Sequence, residues 1–169
     1  MLDFFRKSSK HKADDERERP LVAIIEDQEE SAAALKLAML RIGCDVGTAA
    51  DGVQGLELIA ESRPDLVLLD IQMPNMNGYQ MLARLQQDPQ MASIPVFVMT
   101  SLAAEENLSE EEWARRLGVR RFLAKPFEPE RMADLAREEL GLEDDGAGQA
   151  DEAGQADEAD PSDPPESPR

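Results

Sequence analysis

Cysteine is almost missing from this chain: among 169 residues only Cys44 carries a thiol. That excludes an internal disulfide framework and a multi-cysteine zinc site. Cys44 sits in an apolar-leaning stretch and reads as a small core residue rather than a nucleophile, in a sequence suited to a reducing cytosol. Long apolar runs are missing too. No stretch approaches the roughly 20 residues that a membrane-spanning helix requires. The leading Met1-Leu2-Asp3-Phe4-Phe5-Arg6-Lys7 lacks the apolar core and small-residue cleavage site of a signal peptide. Basic residues are outnumbered: 18 Lys and Arg stand against 36 Asp and Glu, a formal net charge of -18. Nucleic-acid phosphates repel such a chain on average, so basic proteins and Mg²⁺ are the expected company. A cytoplasmic protein with no integral membrane segment and no nucleic-acid partner is the expectation.

What is present divides into three parts. Residues 1–20 form a polar, partly basic arm, with Arg6, Lys7, Lys10 and Lys12 grouped behind Leu2, Phe4 and Phe5. Residues 21–140 hold almost all the aliphatic content and have the length of one ordinary domain. Residues 141–169 are mostly Gly, Ala, Gln, Asp, Glu, Ser and Pro, and contain the direct repeat Gly148-Gln149-Ala150-Asp151-Glu152-Ala153, Gly154-Gln155-Ala156-Asp157-Glu158-Ala159. With so little to bury, that tail is expected to be a disordered, solvated acidic segment, or else a docking strip or intramolecular shield.

The central part alternates between two rhythms. Leu21-Val22-Ala23-Ile24-Ile25, Leu66-Val67-Leu68-Leu69 and Ile94-Pro95-Val96-Phe97-Val98-Met99 are unbroken apolar runs, as strands buried on both faces require. Weaker strands fit Asp45 to Ala49 and Arg121 to Ala124. Between them apolar residues recur every three or four positions, as in Ala32-Leu35-Ala38-Met39-Ile42, Val53-Leu56-Ile59-Ala60, Met81-Leu82-Leu85, Trp113-Arg116-Leu117 and Met132-Leu135-Ala136-Leu140. Five strands alternating with five helices predict an α/β fold, a doubly wound five-stranded parallel sheet. Functional groups in such sheets gather at the carboxyl ends of the strands. Those ends are Glu26-Asp27, Asp70, Thr100-Ser101 and Lys125-Pro126. Carboxylates converging on one edge repel one another unless a cation sits between them. Oxygen-only surroundings favour a hard ion such as Mg²⁺, and a lysine and a hydroxyl beside it suit phosphoryl transfer to a carboxylate.

Ile24-Ile25-Glu26-Asp27, Leu68-Leu69-Asp70-Ile71-Gln72-Met73-Pro74-Asn75-Met76-Asn77-Gly78, Val98-Met99-Thr100-Ser101 and Ala124-Lys125-Pro126-Phe127, in this order and spacing, resemble the receiver domains of two-component response regulators. The resemblance covers essentially all of residues 21–140 and implies the flavodoxin-like (βα)5 fold. It implies a single-domain, chemotaxis-receiver-like signalling module rather than an enzyme, with magnesium-dependent self-phosphorylation and autodephosphorylation. Asp70 would be the phosphoacceptor. Glu26, Asp27, Asp70 and the backbone carbonyl of Gln72 would hold Mg²⁺, Glu26 directly or through water. Thr100 and Lys125 would contact the phosphoryl group, the Lys125-Pro126 bond would be cis, and Thr100 and Phe122 would form the switch, Phe122 turning inward as Thr100 moves. The implied partners are a sensor histidine kinase or histidine phosphotransfer protein, and an output protein on the face built from the fourth helix, fifth strand and fifth helix. Taken singly, Asp27 and Asp70 read as ordinary helix caps, Thr100 and Lys125 as surface residues, and Phe122 as core packing.

Three features depart from a minimal receiver. The Thr100 to Lys125 segment is a few residues long for the family and carries Glu105-Glu106 and Glu110-Glu111-Glu112. Leu102, two positions after Thr100, occupies the place where hydrolytic water is admitted, and an apolar side chain there is expected to lengthen the phosphorylated lifetime. Both tails lack folded-domain patterning, so direct transcriptional control is not expected. A phosphorelay intermediate or phosphate sink, and a phosphorylation-independent adaptor, are the alternatives. A phosphohydrolase resembling haloacid dehalogenases would need a second aspartate that Asp70-Ile71-Gln72 lacks.

Overall fold

The unbroken apolar runs become strands because both faces of each are covered. The computed structural model describes residues 17–101 and 108–143. The strands are β1 (Leu21–Ile25), β2 (Asp45–Ala49), β3 (Leu66–Asp70), β4 (Val96–Thr100) and β5 (Arg121–Ala124). They alternate with α1 (Glu29–Arg41), α2 (Gly52–Ser62), α3 (Gly78–Gln87), α4 (Glu110–Leu117) and α5 (Pro129–Leu140). All pairings are parallel, in the order β2-β1-β3-β4-β5. The chain reverses direction across the sheet between β1 and β3, so the loops after these two strands open a crevice at their carboxyl ends.

Successive side chains of a strand point to opposite faces, and this splits the core in two. Val22, Ile24, Leu66, Leu68, Phe97, Met99 and Leu123 face α1 and α5, together with Leu35, Met39, Cys44 and Met132. Ala23, Ile25, Val67, Leu69, Val96, Val98 and Phe122 face α2, α3 and α4, together with Ile59, Met81, Leu85 and Trp113. The expected α2 stripe is shifted. Val53 is 44% exposed and Ala60 is exposed, while Gly52, Gly55 and Ile59 are buried. The glycines face inward because a Cβ at Gly55 would lie 2.9 Å from both Ile25 Cγ2 and Met81 Cε, too close for any side chain. Periodicity counts apolar side chains, so it overlooks a packing face made of glycine.

The helix ends follow their local chemistry. Asp51 caps α2 by accepting from the amides of Val53 and Gln54, and Asn77 and Ser109 begin capping boxes with Gln80 and Glu112. Gly118 and Gly141 close α4 and α5 in the left-handed conformation. Leu142 then folds back, donating to the Arg137 carbonyl at 3.0 Å and packing on the core, so ordered packing runs two residues past Leu140. At the other end, Arg17 donates to the carbonyls of Ser62 and Arg63. The leading arm through residue 16, Leu102 with Glu105-Glu106, and the acidic repeat lie outside the described residues. Among the described residues no helix is long and apolar enough to cross a membrane.

Candidate phosphoacceptor site

Asp70 is the last residue of β3, and its place is set by the backbone around it. The Ile71 amide donates to the Met99 carbonyl at 3.1 Å, and the Gly78 amide returns to the Ile71 carbonyl at 3.0 Å. The intervening loop is tied to the N-terminus of α2: Gly52 donates to the Met76 carbonyl at 3.2 Å, and Asn75 Nδ2 donates to Asp51 Oδ2 at 2.8 Å. Asn75 holds a φ of 61°, a left-handed conformation that asparagine tolerates better than most residues. Gly78 has no substitute, since a Cβ would sit 2.3 Å from the Asp70 carbonyl oxygen.

Three acids meet at the crevice. Carboxylate oxygens of Glu26, Asp27 and Asp70 lie within 4.8 Å of one another. Lys125, just past β5, reaches back across the sheet end, its Nζ 2.7 Å from Glu26 Oε2 and 3.5 Å from Asp70 Oδ1. The Lys125-Pro126 bond is cis, as the resemblance implied. The Lys125 amide donates to the carbonyl of Thr100, the buried last residue of β4, at 2.8 Å. The Asp70 side chain is 2% exposed. Burial holds its carboxyl above the ordinary carboxylate range, and the Glu26 charge adds to this. Lys125 and the amides of Gln72 and Ile71 pull the other way.

One lysine cannot neutralise three carboxylates. Asp27 Oδ1 is buried and accepts no hydrogen bond among the described residues. A buried, unpartnered carboxylate oxygen is costly unless something cationic meets it. All-oxygen donors at this spacing fit a small hard divalent ion. Glu26, Asp27, Asp70, Thr100 and Lys125 thus converge at one sheet edge. Gln72 enters through its amide, which donates to Asp70. Phe122 belongs to the core beneath α2, α3 and α4. It is 3% exposed and stacked on Trp113 of α4, ring centroids 5.3 Å apart and planes 12° apart.

A family model for the response regulator receiver domain matches residues 22–137. The chain is a member of that family. This receiver is 32% identical over 111 residues to protein PilG of Pseudomonas aeruginosa, a match covering 66% of this chain and 80% of PilG. Protein PilH of the same organism is also 32% identical over 111 residues, covering 66% of this chain and 89% of PilH. Among solved structures, the receiver domain of the Francisella response regulator 1452 superposes with a TM-score of 0.64 at 26% identity, covering 73% of this chain and 98% of that one.

Sequence reasoning gave no role in the site to three residues of this receiver's site region. Asp51 and Asn75 are 24 positions apart and bridge two loops, which no local pattern signals. Trp113 was visible as part of an apolar helix stripe, but its stacking on Phe122 needs the fold.

Proposed function

We propose that Asp70 accepts a phosphoryl group from a histidine kinase or phosphotransfer protein, and that the receiver signals by a conformational change to a protein partner. The observation that carries this reading is a buried aspartate flanked by two further carboxylates, with a lysine ammonium 3.5 Å away. An Asp70 oxygen forms the new bond to phosphorus while the donor's phosphorus–nitrogen bond breaks and the nitrogen leaves. The amides of Ile71 and Gln72 orient the attacking carboxylate. Lys125 exchanges its contact with Glu26 for an oxygen of the transferred group, and the Thr100 hydroxyl takes another. Glu26, Asp27, Asp70 and the Gln72 carbonyl would hold Mg²⁺, which when bound supplies the positive charge that offsets the crowded oxygens. Positioning and charge neutralisation do most of the work in such transfers. The output partner is assigned to the surface of α4, β5 and α5, in the cytoplasm.

The direct test is intact-mass spectrometry of the full chain after incubation with acetyl phosphate and Mg²⁺. One phosphoryl adduct is expected on the wild type and none on Asp70→Ala or in chelator. An adduct retained by Asp70→Ala would sink the assignment of the acceptor.

A further inference from the structure

Phe122 is 3% exposed. Its ring is already inside and lies flat against Trp113, itself 9% exposed. A displacement of Phe122 therefore either carries Trp113 with it or breaks the stack, and Trp113 is the one large buried side chain of α4. The same helix has a second hold on β5. A spacing of three puts Glu110 and Trp113 on one face of α4. Glu110 Oε1 accepts from the amide of Ala124 at 3.1 Å, and Glu110 Oε2 pairs with Arg131 of α5 at 2.7 Å. β5 is the end strand of the sheet, so its outer side has no strand to receive that amide, and the helix supplies the acceptor. Ala124 immediately precedes Lys125. The helix thus touches β5 at the residue beside the active lysine and at the aromatic two residues earlier.

The Trp113 indole Nε1–H is buried and has no hydrogen-bond partner among the described residues. Such a group is costly when left unsatisfied, so plain core packing favours another side chain here. Beside it lies a cavity of about 200 Å³, lined by Ser101, Leu108, Trp113, Phe122 and Lys125 among others. The stacked rings have space to move, and that space reaches from them to the active lysine.

We propose that Trp113 is the positioning residue that transmits the state of Asp70 to α4, the Trp113–Phe122 pair shifting as one unit while Glu110 holds the helix start to β5. This rests on the reading of Asp70 as phosphoacceptor. Coupling of this kind requires two arrangements that differ in their contacts. The unpartnered indole N–H is the group whose surroundings change between them.

Trp113 is the sole tryptophan of the chain, so its indole N–H gives a single cross-peak in a ¹H–¹⁵N spectrum. The full chain is titrated with Mg²⁺ and beryllofluoride, a phosphoryl mimic, and bound fluoride is counted by ¹⁹F resonance in the same sample. The expected result is an indole cross-peak that shifts in step with the bound ¹⁹F signal. In Trp113→Leu with the mimic bound, the amide shifts of Glu111 to Leu117 are expected to be lost. Bound ¹⁹F signal with a stationary indole overturns the role of Trp113 and leaves the Asp70 reading standing. No bound ¹⁹F signal on the wild type overturns both. The wild-type measurement decides the matter even if Trp113→Leu does not fold, and α4 shifts that persist in a folded Trp113→Leu refute the proposal.

Discussion

Asp70 is in an unfavourable place for a lone carboxylate, and that has a measurable consequence. Its folded pKa is raised, first by burial and then by Glu26. A raised pKa means a contribution to stability that is present below the unfolded value and lost as pH rises through the folded one. Above that range, without divalent metal, the Asp70 carboxylate therefore burdens the fold. Asp70→Asn is expected to raise the melting temperature in chelator by about 2–6 °C, read by differential scanning calorimetry. Magnesium should narrow the gap by stabilising the wild type more than the variant. An unchanged or lower melting temperature in chelator would contradict this account of the acid cluster. Gly78 is constrained in the opposite sense, by sterics rather than charge. A methyl group there meets the Asp70 carbonyl oxygen and the Ile71 Cα, both backbone atoms that cannot turn aside. Gly78→Ala should cost about 2–4 kcal/mol in urea unfolding and slow phosphorylation by acetyl phosphate, because relief requires moving Asp70 itself.

At the scale of the element, α4 is the shortest helix of the frame. It has only eight residues, two turns, and too few to persist without its caps and its contacts. Its start is held by reciprocal bonds: the Ser109 amide donates to Glu112 Oε2 at 2.8 Å, and the Glu112 amide donates to Ser109 Oγ at 3.2 Å. The Ser109 amide, with the Ser109 hydroxyl, holds the Glu112 carboxyl below the usual carboxylate range. Ser109→Ala is expected to cost about 1 kcal/mol and to speed hydrogen exchange in residues 111–117 while leaving α1 and α5 unchanged. Uniformly faster exchange would mean that α4 opens only with the whole fold. By contrast, α2 and α3 are tied into the site by the Asp51–Asn75 and Gly52–Met76 hydrogen bonds, which fix the loop that carries Gln72.

At the scale of the whole molecule, the two-sided core determines what is sealed off. Cys44 has no exposed surface and lies on the α1 and α5 side. Burial, helped by the charges of Asp45 and Asp65, pushes its thiol up to about 11 from the ordinary 9.0. The neutral thiol is thus the form the fold accepts. Stability from this residue is intact below pH 9 and declines as pH rises toward 11, by on the order of 2 kcal/mol. Chemical denaturation of the wild type against Cys44→Ala at pH 8 and pH 11 checks it. The difference between the two proteins should shrink or reverse at the higher pH, and a constant difference would refute the linkage.

The amino-acid sequence by itself determined the alternation of strands and helices, because strands covered on both faces must be apolar throughout, whereas helices covered on one side need only a stripe. It also determined which acids, hydroxyl and lysine lie at strand ends, since a strand's end is a local property. Only the tertiary structure decided what those ends do to one another. Lys125 and Glu26 are 99 residues apart in the chain and 2.7 Å apart in the fold. The inward glycine face of α2, the Asp51–Asn75 bridge and the flat Trp113–Phe122 stack were likewise beyond any local pattern. Each depends on the distance between elements, and that distance is set by parallel pairing and by side-chain volume on both faces of the sheet.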